Sequence, residues 1–400
     1  MFKPDEILLK KYADILVKFA LNSGKGLKKG EVVICYVPDV AKPLLKELQK
    51  SILEAGGHPL LRMLPTGGFD KMMYEIASDE QLKFFPKKYK KALTDLIDHQ
   101  IGILADTNLK ELETVDPTKI LMSMDSNKKT REWLEDKEYR GHFTWTIGLY
   151  PTKAMADETG LTLEEYWEQV IRACYLDKKD PIKEWTNILI AQEKIKAKLD
   201  SLKIESVHIE GAKIDLTIKI GKMRKWLGGS GRNIPSYELF TSPDWRGTEG
   251  YIYFNQPLYM YGNKITDIRL EFKSGKVVKA TAKRGQKMLE QMISRKNADK
   301  VGEFSLTDRR FSRITKFMAN TLYDENIGDT YGNSHIALGL AYREGYDGDV
   351  SKVSKAELRE LGFNMSAEHK DIINTQKKTV TATLKNGRKK VIYKDGLFLV

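Results

Sequence analysis

The sequence predicts an α/β N-terminal domain over residues 1–200, built on a mainly parallel sheet, followed by an α+β domain over residues 201–400 with antiparallel sheet. Three observations predict it. In the first half, short apolar runs alternate with amphipathic stretches, the pattern of parallel strands joined by helices. Near residue 200 this gives way to apolar runs separated by turn signals, as in antiparallel hairpins. The last third then gathers two of the chain's six histidines among carboxylates.

In chain order, Glu31 to Val37, His58 to Leu64, Ile101 to Ala105, Lys119 to Met124 and Thr144 to Tyr150 read as buried strands. Between them Ala41 to Ala55, Phe69 to Leu82 and Ser126 to Leu134 read as helices, the first two with apolar residues at helical spacing. Gly24-Lys25-Gly26 precedes a strand and reads as a turn; no GxGxxG or Walker-type loop follows any strand, which leaves a nucleotide site without support. Leu161 to Cys174 and Pro181 to Leu202 read as two connecting helices, the second striped by Ile188, Ala191, Ile195, Leu199 and Leu202. Beyond them Val207 to Ile220, Gly250 to Tyr261, Ile265 to Ala282 and Thr379 to Val400 read mainly as strands. Turn signals stand at Gly211, Gly262-Asn263, Ser274-Gly275, Asn386-Gly387 and Asp395-Gly396. Lys283 to Arg295 and the segment from His335 to Tyr342 read as helices.

Composition bounds the function. A hydrophobic fraction of 41% and a charged fraction of 30% are those of a soluble globular chain. No apolar run is long enough to span a bilayer, and Met1-Phe2-Lys3-Pro4-Asp5-Glu6 lacks a signal peptide's pattern, so a cytoplasmic protein with no membrane partner is expected. Cys35 and Cys174 are the only cysteines, too few for a disulfide framework. The net charge of +12 is spread along the chain, with short runs at Lys87-Lys88-Tyr89-Lys90-Lys91, Lys128-Lys129 and Arg388-Lys389-Lys390. Nucleic-acid binding needs a patch that displaces several counterions together, so no nucleic-acid partner is expected.

The candidate chemistry lies in two clusters, Asp324-Glu325-Asn326 ahead of Ser334-His335, and Glu368-His369-Lys370-Asp371. Imidazole and carboxylate are the ligands of a hydrolytic divalent ion that keeps a position open for water. His369 and Asp371 are two apart and leave one face of an extended segment. His335 and Tyr342 are seven apart, close to two turns if helical, which would set a phenol over an imidazole as an oxyanion donor. Neither cluster has the specificity of HExxH, and the same residues also suit a solvated loop and a capped helix. His58, His99, His142 and His208 stand alone and read as packed or solvated. Trp245-Arg246 reads as a packing anchor beside Pro243 or as pocket lining.

The run from Asn233 through Glu238 to Pro243, followed by Glu249-Gly250, resembles the NxPxGExFT(S/A)P segment of the thermophilic-type metalloaminopeptidases, the family of aminopeptidases T and S. Gly302-Glu303, Thr321 to Asn326, Ser334 to Gly339 with Tyr342, and Asn364-Met365-Ser366 with His369-Lys370-Asp371 follow in the family's order. The spacer Ile327 to Asn333 is longer than the family's, Tyr237 stands where Gly is common, and Ile372-Ile373-Asn374 replaces Phe-Met-Ile. The resemblance implies that Glu238, Glu303, His335, His369 and Asp371 ligate two divalent ions, zinc, cobalt or magnesium. Glu325 follows as a further ligand or a group behind the ligands. It implies that Tyr342 is the catalytic phenol; Glu303 and Asp371 are the candidates for bridging, since carboxylates can bridge where imidazoles bind terminally. The activity implied is that of an aminopeptidase acting on short peptides with a free N-terminus, working as a homodimer around an enclosed cavity, with residues 201–400 as the metal-binding catalytic domain. Another dinuclear metal hydrolase, or a non-catalytic peptide-binding protein with a structural metal, uses the same ligand types.

Overall fold

The computed structural model describes residues 2–400. They fall into two compact units, one of residues up to Thr186 with Ser230–Ile234, the other of Asn187–Gly229 with Pro235–Val400. The division lies inside the helix Pro181–Ser201.

The first unit carries β1 (Val32–Pro38), β2 (His58–Leu64), β3 (His99–Leu104) and β4 (Thr144–Leu149), all parallel in the order β2-β1-β3-β4. A helix over Glu6–Ile15, absent from the sequence expectations, lies against the helix Lys42–Glu54 and buries Leu9, Tyr12, Ala13 and Ile15. Asp5 starts it by accepting a hydrogen bond from the Leu8 amide, and the Tyr12 hydroxyl accepts one from the Leu149 amide at 2.8 Å. Lys119 to Met124 is not a strand but the body of a helix, Pro117–Ser126. Asp116 caps it and Pro117 occupies its first position, start signals that outweigh a short apolar run. The stretch Phe69 to Leu82 is broken at Ala77, which is extended, and restarted by a Ser78–Gln81 capping box.

The second unit is antiparallel throughout. Its strands are β5 (Ile204–Gly211), β6 (Ile214–Lys219), β7 (Glu238–Thr241), β8 (Glu249–Phe254), β9 (Leu258–Met260), β10 (Asn263–Ile265), β11 (Ile268–Lys273) and β12 (Lys276–Thr281). They continue with β13 (Val301–Thr307), β14 (Asn333–Gly339), β15 (His369–Asn374), β16 (Lys378–Leu384), β17 (Lys389–Lys394) and β18 (Leu397–Phe398). Eight form a large sheet ordered β12-β11-β8-β6-β5-β16-β17-β18, and four form a smaller one ordered β15-β14-β13-β7. Leu239, Phe304, Leu306, Ile336, Leu338 and Ile372 turn one face of the smaller sheet into the core shared with Val207, Leu216, Ile252, Leu270 and Val380 of the larger. Alternation along each strand therefore sends Glu238, Glu303, Ser305, His335, Ala337, His369 and Asp371 to the opposite face.

The segment from His335 is thus strand, not helix. Every residue of β14 is buried, and a run buried on both sides shows no clear helical or alternating signature in its sequence. Partner strands on either side satisfy the backbone of β14.

Glu303 faces its partners because of a β-bulge. Val301 opposes Leu338 on the core face, yet Glu303 opposes Ala337 on the other, with the register shifting between them at Gly302. A side chain at 302 would run into the carbonyl oxygens of Leu340 and Gly339. Support from behind comes from β17, where the Tyr393 hydroxyl donates to the Thr307 carbonyl at 2.8 Å and lies 3.3 Å from that of Asn333.

Gly302→Ala is expected to lower stability by ~1–3 kcal/mol in urea unfolding, the cost of overpacking against a fixed backbone. Gly102→Ala on β3, where the added carbon meets nothing nearer than 3.7 Å, is expected to be close to neutral. Equal effects would remove the bulge from the account.

A second test concerns Lys378, wholly buried on β16, whose ammonium donates to the Asn374 carbonyl at 3.0 Å. Burial pushes its pKa down from 10.5 to about 7, against the opposing charge of Asp395. The unfolded chain therefore binds more protons between pH 7 and pH 10, and stability rises with pH across that window while the penalty is fully present below it. Lys378→Met is expected to be the more stable protein at pH 7, with the difference shrinking by pH 10. A difference independent of pH would mean that the buried ammonium carries no such penalty.

Candidate metal centre

The polar face of the four-stranded sheet brings together all seven expected residues. Glu238 enters at the start of β7, where its oxygens take hydrogen bonds from Ser305 Oγ at 3.2 Å and Ser236 Oγ at 3.5 Å. His335, from the middle of β14, sets Nε2 at 3.0 Å from Glu303 Oε1, 3.3 Å from Glu238 Oε2 and 3.8 Å from Asp371 Oδ1. His369 opens β15, with Nε2 at 3.6 Å from the other Glu303 oxygen and 3.4 Å from Asp371 Oδ1. Its Nδ1 lies 2.8 Å from the Leu340 carbonyl, which orients the ring so that Nε2 faces the carboxylates. The two-residue spacing of His369 and Asp371 acts as expected of a strand. Ala337, opposite Glu303 on one side and Asp371 on the other, leaves a floor without a side chain of any size between them.

Tyr342 arrives by a different route from the helical one expected. β14 ends at Gly339, the chain turns, and the Tyr342 amide is held by Ser242 Oγ at 2.9 Å. Its ring packs at 4.6 Å between centroids on His369, not on His335, and at 5.9 Å on Phe240. Glu325 comes from the turn after the short helix Thr321–Asp324. Two sets of donor atoms converge within 4.8 Å, those of Glu238, Glu303 and His335, and those of Glu325, His335 and Asp371.

The other expected candidates lie elsewhere. His99 is buried between Thr144 Oγ1 at 2.8 Å and Glu31 Oε2 at 2.9 Å in the first unit, His208 pairs with Asp215 on the large sheet, and His58 and His142 are exposed. Trp245 supports the Lys300 ammonium 4.0 Å above its ring. The sequence assigns no role to Ser305, nor to Ser242 within its motif. The alternation Glu303-Phe304-Ser305-Leu306-Thr307 was the available signal for the first.

Electrostatics follow from burying like charges together. Two carboxylates at ~4 Å repel by about 4 kcal/mol at an effective dielectric of 20, so protons or cations must compensate. Burial lifts Glu238 to about 7, with Glu303 and Asp371 adding and His335 opposing. Burial first, then Glu238, drives Glu325 well above the carboxylate range, and burial with the fields of Glu303 and Asp371 raises Tyr342 likewise. Burial disfavours the charged imidazoles, yet the carboxylates outweigh it and push His335 and His369 up to about 9. Asp371 goes the other way, held at about 2 by His369 against the effect of burial. Asp371 Oδ1, although buried, makes no hydrogen bond, and neither does His335 Nδ1. Oxygen and imidazole donors at this density, with a carboxylate oxygen left over, are a set that fits divalent cations of the zinc or cobalt kind.

Known proteins resemble the chain in sequence and fold. The family model described as thermophilic metalloprotease (M29) matches residues 5–398. Aminopeptidase 2 of Geobacillus stearothermophilus is 26% identical over 97% of both chains. Aminopeptidase PepS of Streptococcus thermophilus is 30% identical over 64% of this chain and 63% of its own. The solved structure of wild-type AmpT from Thermus thermophilus superposes with a TM-score of 0.84 at 23% identity, covering 98% of this chain and 99% of that one. With its α/β unit, its antiparallel second unit and a family match that runs nearly end to end, the chain belongs to the thermophilic metalloprotease (M29) family.

Proposed function

We propose that the protein is a two-metal aminopeptidase that removes N-terminal residues from short peptides, with Glu238, Glu303, His335, His369 and Asp371 as the ligands. The observation that carries it is the position of Glu303, whose two oxygens each face a different imidazole, His335 at 3.0 Å and His369 at 3.6 Å. Asp371 Oδ1 likewise stands between both rings. Carboxylates shared by two imidazoles are what bridging ligands require, so Glu303 and Asp371 are the proposed bridges. Divalent ions held here would polarise the scissile carbonyl and make water nucleophilic near neutral pH.

The chain's own residues supply the rest. The Tyr342 phenol, kept protonated by burial and the surrounding carboxylates, donates to the oxyanion that develops as water attacks. His335 and Glu303 are the deepest groups, with side chains 1% and 4% exposed, while His369 and Asp371 are 17% and 16% exposed. The site therefore opens on the side of His369 and Tyr342, where the rest of the peptide would leave. A homodimer is proposed with it. The helix Phe69–Ile76 exposes Phe69, Met72, Met73 and Ile76 at helical spacing, a stripe that assembly would cover. No helix among the described residues is long and apolar enough to cross a membrane, and the proposed location is the cytoplasm.

Chelation should abolish hydrolysis of aminoacyl-anilides, and zinc or cobalt should restore it; full activity after chelation and dialysis would defeat the metal reading. Because both imidazoles are held protonated up to about 9 and Glu238 up to about 7, zinc binding at pH 7 should release more than two protons per chain, measured by calorimetry in buffers of different ionisation enthalpy. Release of well under two protons would take the imidazoles off the ligand list. N-acetylated peptides should be cut far more slowly than free ones, and equal rates would favour a different hydrolase.

Tyr342→Phe is expected to leave metal content and KM near wild type while kcat falls by ~10²–10³, the loss typical of one oxyanion donor. Lost stability with unchanged kcat would make Tyr342 a packing residue only.

A further inference from the structure

We propose that Arg224 is a positioning residue for the Tyr342 phenol, an inference that rests on the aminopeptidase reading of the site. Tyr342 does not stand on a strand. It is carried by the excursion between β14 and β15, which buries a small apolar cluster of its own, Ala341, Val353, Leu358 and Phe363, apart from the main core. Its ring packs on Phe240 and His369. An oxyanion donor needs tighter control than ring packing gives, since a misplacement of about 1 Å costs ~10²-fold in rate.

The control comes from a clamp built on Arg224. Three backbone carbonyls from three stretches of chain accept its guanidinium protons: Ser242 from Nε at 2.6 Å, Lys222 from Nη1 at 2.6 Å and Leu361 from Nη2 at 2.9 Å. Its Cζ lies over the Phe363 ring, 3.5 Å from the centroid, and a lysine reproduces neither the fork nor the stacking. Leu361 ends the helix Lys355–Glu360, where the last carbonyls favour a cation. Asp244, whose charge acts on Arg224, is itself taken up by Arg246 and Lys219, so the guanidinium serves the carbonyls. Backbone bonds extend the clamp on both sides: the Lys225 amide donates to the Gly345 carbonyl at 3.0 Å, and the Asp347 amide to that of Met223 at 2.9 Å.

Ser242 joins the clamp to the phenol. It is wholly buried; its carbonyl takes the Arg224 Nε proton while its Oγ accepts from the Tyr342 amide at 2.9 Å. One residue thus holds the start of the excursion by its side chain and, through Arg224, the stretch around Leu361 by its carbonyl. Gly362 is pressed against the same place. The Trp245 amide donates to its carbonyl at 3.3 Å, and a side chain at 362 would collide with the Asp244 carboxylate. A shift of Ser242 therefore moves Tyr342, and Arg224 prevents that shift.

The test is a double-mutant cycle on the full chain loaded with zinc. Arg224→Lys keeps a cation without the fork, and should lower kcat on an aminoacyl-anilide by ~10- to 100-fold, with zinc content and KM near wild type. In the Tyr342→Phe background the same change should cost no more than ~2-fold, because the group that Arg224 positions is gone. An equal loss in both backgrounds would make Arg224 a purely structural residue and overturn the proposal, as would wild-type kcat in Arg224→Lys or zinc lost from it. If Arg224→Lys does not fold, Ser242→Ala decides in the same two backgrounds, with an expected loss of ~10-fold confined to the protein that keeps Tyr342. A second readout needs no turnover. In protein carrying meta-fluorotyrosine, the fluorine resonance that vanishes in Tyr342→Phe belongs to Tyr342; it should move or broaden in Arg224→Lys, and an unchanged resonance would refute the positioning role. A wild-type protein that hydrolyses no aminoacyl-anilide would refute the aminopeptidase reading, and the fluorine resonance would then decide on Arg224 by itself.

Discussion

The structure of the second unit depends on one constraint: a sheet with an apolar face buried in the core and an acidic face that is buried as well. The apolar face is unremarkable, with Phe304, Leu306, Ile336 and Leu338 filling the space above the larger sheet. The other face sets Glu238, Glu303, Asp371 and two imidazoles against one another with little water to screen them. Such a face is stable only if positive charge arrives from somewhere. In the ion-free chain the imidazoles supply it by holding their protons. This is why the two histidines and the carboxylates are inseparable, and why the chemistry that suits the site is that of a cation.

How much of this is legible in sequence varies with how each strand is buried. β2 runs His58–Leu64, as its sequence pattern predicts, and β1 and β4 begin within a residue of expectation, because turn residues bracket short apolar runs there. The change of architecture near residue 200 is equally visible, through Gly211 and the Asn-Gly and Asp-Gly turns of the hairpins. The sheet that carries the site is the part that periodicity misses. β14, buried on both faces, reads as a helix, and β7 and β13 yield only motif fragments. No spacing rule connects Glu238 to Glu303 or His335, since their proximity comes from pairing between strands that lie far apart in the chain. The ordered series of short motifs, matched to a family, supplies what local pattern does not.

Small residues set the geometry where the strands meet. Gly302 lets β13 bulge so that Val301 and Glu303, two apart, face opposite ways. Ala337 keeps the floor clear, and Gly339 at the end of β14 passes close to the backbone of Glu368. None of these residues touches a substrate, yet each fixes an orientation that the charged groups depend on. The longer spacer Ile327 to Asn333 is accommodated the same way, with Gly332 against Gly396 and the Tyr393 hydroxyl bracing Thr307 and Asn333 from below.

That brace bears on how the protein is made. From Glu238 to Asp371 the polypeptide runs 133 residues (371 − 238), and Tyr393, which steadies the ends of β13 and β14, emerges 22 residues later still (393 − 371). A nascent chain on the ribosome thus exposes β7 and β13, with their glutamates and apolar faces, well before the strand that brings His369 exists. The pairing of β7, β13, β14 and β15 joins segments far apart in the chain, the kind of contact whose loop-closure entropy slows folding. The acidic face is therefore complete only once residue 371 has been made, and until then β7 and β13 lack the strands that finish their sheet, the kind of exposed edge and apolar surface that chaperones cover.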